Sequence, residues 1–66
     1  MKKDMKKIFN MLVNVYSGEE AIAEINMQYK SEDDLYVCLV ILETGEIVFD
    51  GYAWVSGDVV LSRSRV

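Results

Sequence analysis

Sixty-six residues suffice for one domain, and a single cysteine with no histidine excludes both a disulfide framework and a four-ligand zinc site. The apolar share of 52% and the mean hydropathy of +0.11 are high for a chain that hides only about 60% of its unfolded surface on folding. The formal charge of −4 is sorted by position: residues 1–7 hold four lysines and one aspartate, residues 8–61 hold ten carboxylates against Lys30 alone, and Arg63 and Arg65 follow.

At the N-terminus, Lys2, Lys3, Lys6 and Lys7 ahead of Ile8 to Tyr16 imitate a secretory leader. Asn10 and Asn14 break the apolar stretch, and Glu19 and Glu20 sit where a neutral region is needed, so a leader is not expected. No run reaches the 18 apolar residues of a membrane span, and no membrane partner is expected. A lone cysteine in an apolar run suits a reducing, cytoplasmic setting.

Residues 5–16 and 21–30 each satisfy two periods. In one reading, residues 8–16 are a strand with Phe9, Met11, Val13 and Val15 on one face and Asn10 and Asn14 on the other. Ser17 and Glu20 then form a capping box that opens a helix over 19–30 with Ile22, Ile25 and Tyr29 on its stripe. In the other, Met5, Ile8, Phe9, Leu12 and Tyr16 line a helix ended by Gly18, and Ala21, Ala23, Ile25, Met27 and Tyr29 alternate as a strand. The first is favoured, because acids suit a helix start and four lysines there oppose the helix dipole.

After Glu32, Asp33 and Asp34, the β-branched and aromatic run Leu35 to Leu42, the turn Glu43-Thr44-Gly45-Glu46 and the run Ile47 to Val55 read as a β-hairpin. With Thr44 and Gly45 as the loop, Val40 faces Phe49, Ile41 faces Val48 and Leu42 faces Ile47. Ser56-Gly57-Asp58 turns into a last strand over 59–66. The expected fold is α+β in a single domain of residues 1–66: an antiparallel sheet of three or four strands, strongly curled in one version, with one helix. One helix covers one face of a sheet, yet residues 35–42 present apolar side chains to both. The other face therefore calls for a curled barrel, a second copy of the chain, or another protein.

Candidate chemistry is sparse. Without an imidazole base or an activating partner for Ser17, Ser31, Ser56, Ser62 or Ser64, no catalytic residue is assigned and no enzyme activity is expected. Cys38, between Val37 and Leu39, reads as a buried small hydrophobe. Glu32, Asp33 and Asp34 lack the alternating spacing of a calcium loop, so neither a metal nor a cofactor is expected. The basic ends with Tyr36, Tyr52 and Trp54 make a small nucleic-acid-binding barrel a distant alternative, opposed by the net charge.

The carboxylates of the middle segment supply the leading expectation: a non-enzymatic inhibitor or regulator that sets an acidic surface against a basic, nucleic-acid-handling protein. Glu32, Asp33, Asp34, Glu43, Glu46 and Asp50 are its candidate charges, and Tyr52 and Trp54 its anchors. Gly51, inside a strand, marks a bulge or a close backbone approach that would aim these neighbours. Such a length and charge are common among phage-encoded inhibitors. The rival expectation is a structural homo-oligomer, a dimer at the least, that pairs its apolar sheet faces.

Overall fold

A computed structural model describes residues 3–66; Lys2, counted above with the basic start, lies outside them. The chain forms one helix, α1 (Lys3–Tyr16), and four strands, β1 (Ile22–Lys30), β2 (Leu35–Leu42), β3 (Ile47–Ser56) and β4 (Val59–Ser64). The strands make one antiparallel sheet in the order β1-β2-β3-β4. This is the α+β fold expected, with the hairpin of residues 35–55 at its centre. The sheet is not closed: β1 and β4 are its two edges, so the barrel alternative does not hold.

The favoured reading of the first half is overturned, and its alternative is what forms. Residues 3–16 are the helix and residues 22–30 the strand. Ile8 and Leu12 are fully buried, and Met5, Met11 and Tyr16 pack beside them, so the stripe at helical spacing faces the sheet. Burying each large apolar side chain is worth about 1.5–3 kcal/mol, whereas an exposed charge at a helix end is worth about 0.3–1 kcal/mol. Packing therefore outweighs the unfavourable lysines, and Asp4 in the first turn offsets part of their effect. Ser17 does not open a helix. Its amide donates to the Val13 carbonyl at 2.9 Å, and its hydroxyl donates to the same oxygen, so it closes α1.

The central hairpin differs from expectation in its last pairs. Val40 faces Phe49 as expected, but Ile41 pairs with Ile47, and the Leu42 amide donates to the Glu46 carbonyl at 2.9 Å. The loop is Glu43-Thr44-Gly45, with Gly45 at φ +93, a conformation that the absence of a Cβ makes accessible. Val48 is then an extra residue, a bulge that turns it toward the core beside Phe49 and leaves Ile47 outside. A second register shift, between Ile22 and Glu24, falls on the opposite flank of β2. Both bulges bend the same end of the sheet.

Between α1 and the sheet lies the core of Ile8, Leu12, Tyr36, Cys38, Val40, Phe49 and Ala53, with Tyr16 edge-on to Phe49 at 6.0 Å between ring centroids. The residues of β2 alternate strictly: Tyr36, Cys38, Val40 and Leu42 are buried, and Leu35, Val37, Leu39 and Ile41 point to the uncovered side. Among the described residues no other element lies over that side, so one helix leaves one face bare, as its count against the sheet requires.

Candidate functional site

Antiparallel pairing sends the two acidic turns to opposite ends of a molecule 33 Å long. Glu32, Asp33 and Asp34 form the β1–β2 turn, and Glu43 and Glu46 flank the β2–β3 turn. The eight residues of β2 separate the two groups by about 25 Å.

Cations accompany the first group. The N-terminal turn of α1 reaches the same end, where Lys3 and Asp4 line a cleft of about 260 Å³ with Tyr29, Asp34 and Tyr36. The Tyr29 hydroxyl donates to Asp34 Oδ1 at 2.9 Å, and this hydrogen bond to a carboxylate pushes the Tyr29 phenol above its usual value. Lys7 lies 3.7 Å from Asp58 of the β3–β4 turn. With Lys6 and Lys30 also on these elements, the Asp34 end is close to electrically balanced.

The Gly45 end is different. Glu19 and Glu20, in the link from α1 to β1, lie beside the β2–β3 turn because the Glu43 amide donates to the Ala21 carbonyl at 2.9 Å. Glu24 stands one step along β1, paired with Ile41. Three separate segments thus bring Glu19, Glu20, Glu24, Glu43 and Glu46 to one end, all exposed. Among the described residues none of the five has a basic group within 4.0 Å; the ion pairs formed are Lys7–Asp58 and Arg65–Asp50. The C-terminus of α1, which adds a partial negative charge, points to this end with no basic residue in its last turn.

Beside this end, α1 and the edge strand β1 leave an open groove of about 350 Å³, lined by Phe9, Val13, Ser17, Ile22, Ala23, Glu24 and Ile25. The Phe9 ring stays 39% exposed there. Apolar surface and uncompensated carboxylates are therefore contiguous, and Glu24 belongs to both. Sequence reasoning missed Glu19, Glu20 and Glu24 as site residues. Their charge was visible, but their nearness to Glu43 follows only from α1 leading into β1 at the end where β2 turns into β3.

The remaining candidates occupy a third place. Asp50, Tyr52 and Trp54 lie on the uncovered side of β3, with Asp50 3.6 Å from Arg65. Tyr36 is buried on the opposite side, so the three aromatics do not form one platform. Gly51 is a close approach and not a bulge, for the bulges lie at Ala23 and Val48. The Cys38 thiol is buried, donates to the Tyr36 carbonyl at 3.6 Å, and is pushed up to about 11 by burial, which suppresses its thiolate. No helix is long and apolar enough to cross a membrane among the described residues.

The chain matches no protein-family model, no curated protein and no solved structure.

Proposed function

We propose that the protein is a small non-enzymatic binding protein that engages a basic surface of a protein partner with its Gly45 end, acting as an inhibitor or regulator. The observation that supports this is the convergence of Glu19, Glu20, Glu24, Glu43 and Glu46 beside the apolar groove at Phe9 and Val13. Carboxylates without neighbouring cations steer a basic partner and set its orientation, while an adjoining apolar groove supplies burial that salt does not screen. A partner segment with Lys or Arg residues around one apolar side chain fits both parts.

The charge pattern also runs against the helix it flanks. Lysines sit at the positive end of α1, at a cost of about 0.3–1 kcal/mol, and glutamates gather past its negative end. A local rule broken at the start of the helix points to a use outside folding. A protein that handles nucleic acid offers the matching surface, since it presents cations to phosphates and a carboxylate cluster competes for them. The buried, protonated thiol suits a reducing cytoplasm.

Affinity capture from cell lysate, followed by displacement of nucleic acid from the captured protein, tests the proposal. Capture is expected at 0.1 M salt and is expected to fall at least tenfold at 1 M, as the Debye length drops from about 10 Å to about 3 Å and only the groove contact persists. A variant carrying Glu19→Lys, Glu20→Lys, Glu43→Lys and Glu46→Lys is expected to capture nothing. Glu32→Lys with Asp33→Lys is expected to capture as the parent does, because that end is already balanced. Equal capture by the four-lysine variant would remove the proposal.

A further inference from the structure

The uncovered face of the sheet has a charge arrangement of its own, distinct from that of the acidic end. Its centre is the four outward residues of β2, Leu35, Val37, Leu39 and Ile41, with Tyr52 and Trp54 alongside on β3. A sheet face turned to water normally interleaves polar side chains along each strand. None of the outward positions of β2 is polar, and Tyr52 is 44% exposed.

Apart from Asp50 and Ser56 on β3, the polar residues of this face stand on the rims. The β1 rim runs Glu24, Asn26, Gln28, Lys30, paired in turn with Ile41, Leu39, Val37 and Leu35. On the β4 side, Arg63 pairs with Tyr52, and Arg65 follows beside Asp50. The face thus carries Glu24 and Asp50 against Lys30, Arg63 and Arg65, one positive charge in excess on a chain of −4. A basic partner is wrong for this side of the molecule.

We infer that the occupant of this face is a second copy of the chain, related by a two-fold axis running along the strands between the two facing sheets. That axis lays the β1 rim of each copy over the β4 rim of the other. Glu24 then comes beside Arg65 of the second copy, Asn26 and Gln28 come opposite the two arginines, and the apolar centres meet. A two-fold contact forms each of these pairings twice. Glu24 is taken into the contact, while Glu19, Glu20, Glu43 and Glu46 of the Gly45 end remain outside it, so the dimer presents two such four-glutamate ends.

The area is sufficient. Four strands about 4.8 Å apart and eight residues long give a footprint of about 500 Å² per copy, or about 1,000 Å² for the pair, near the lower bound of specific interfaces. The arrangement is an aligned two-sheet sandwich, the ordinary way for two such faces to pack. A footprint of this size calls for a dimer that dissociates on dilution.

Sedimentation velocity of the full chain, from about 1 to about 300 µM and at low and high salt, tests the inference. The mass is expected to reach twice 7.6 kDa at the upper concentrations and to persist at high salt, because the centre of the interface is apolar. Val37→Asp is expected to weaken association by about a hundredfold with the circular dichroism spectrum retained. Glu24→Arg, at an exposed rim position that leaves the fold intact, is expected to weaken it by about tenfold, and adding Arg65→Glu is expected to restore it. A monomer throughout the range would overturn the inference, as would a dimer indifferent to both Val37→Asp and Glu24→Arg. The four-lysine variant of the acidic end is expected to remain dimeric, so loss of capture and loss of the dimer report on different surfaces.

Discussion

Gly51 sits where β4 passes so close that a Cβ built on it would lie 1.9 Å from the Arg63 carbonyl oxygen and 2.9 Å from the Ser64 Cα. Both obstacles are backbone and cannot rotate away. Gly51→Ala is therefore expected to destabilise the protein by about 2–3 kcal/mol, the upper range of overpacking. Gly18→Ala, with nothing within 4 Å, is expected to be close to neutral, and urea midpoints compare the two. The buried thiol of Cys38 makes a second prediction. Its folded value of about 11 exceeds the 9.0 of an exposed thiol, so folding favours the protonated form. The stability this contributes is complete below pH 9 and is lost between pH 9 and 11, as the unfolded chain ionises and the folded one does not. Burial raises the Tyr36 phenol in the same sense, so ionisation of that group adds to the alkaline loss. Cys38→Ala is expected to show a shallower fall in denaturation free energy across that window than the parent. In this range of pH the thiol is also expected to resist labelling until denaturant is added. Both residues were partly legible in the sequence: an interior-strand glycine and a cysteine between Val37 and Leu39 each announce close packing. Which strand crowds Gly51 was not, since Arg63 reaches it only through the β3–β4 register.

The two halves of the chain were unequally legible at the scale of elements. The residue 35–55 hairpin declared itself through β-branched runs about a glycine turn, and strands form there. Residues 5–16 and 21–30 carried both periods at once, and the helix dipole pointed to the wrong choice. The dipole term is small, local and screened, while the burial of Ile8 and Leu12 is large and depends on a sheet elsewhere in the chain. Leu12→Ala separates the readings: in α1 this side chain is fully buried, whereas on a strand over 8–16 it would share the solvent side with Asn10 and Asn14. The expected cost is about 2–5 kcal/mol. A domain of this size holds only about 3–10 kcal/mol in total. The variant is thus expected to be largely unfolded at room temperature, with thermal melts followed by circular dichroism as the check. Bulges at Ala23 and Val48 belong to the same lesson. A perfectly alternating pattern predicted Ile41 opposite Val48, and one extra residue exchanged Val48 for Ile47 on the outside.

Across the whole molecule, the charge sorting seen along the chain becomes a sorting between ends. The basic N-terminal turn and the Glu32–Asp34 turn meet at one end and offset each other, while five glutamates gather at the other with no basic group within 4.0 Å of them among the described residues. Counting charges along the chain could not separate these two acidic groups, because neutralisation depends on which end of α1 lies over which turn. Sequence alone determined the α+β class, that residues 35–55 pair as a hairpin, and that one sheet face would be left without a helix. Those conclusions rest on composition, on period within a single run and on element count, which are local or additive properties. Only the tertiary structure decided which half is helical, which side of β2 is bare, which glutamates stand together, and that Asp50, Tyr52 and Trp54 lie apart from the acidic turns. Each of those depends on contacts between residues distant in the chain, where burial against a partner element outweighs the preference of any segment taken by itself.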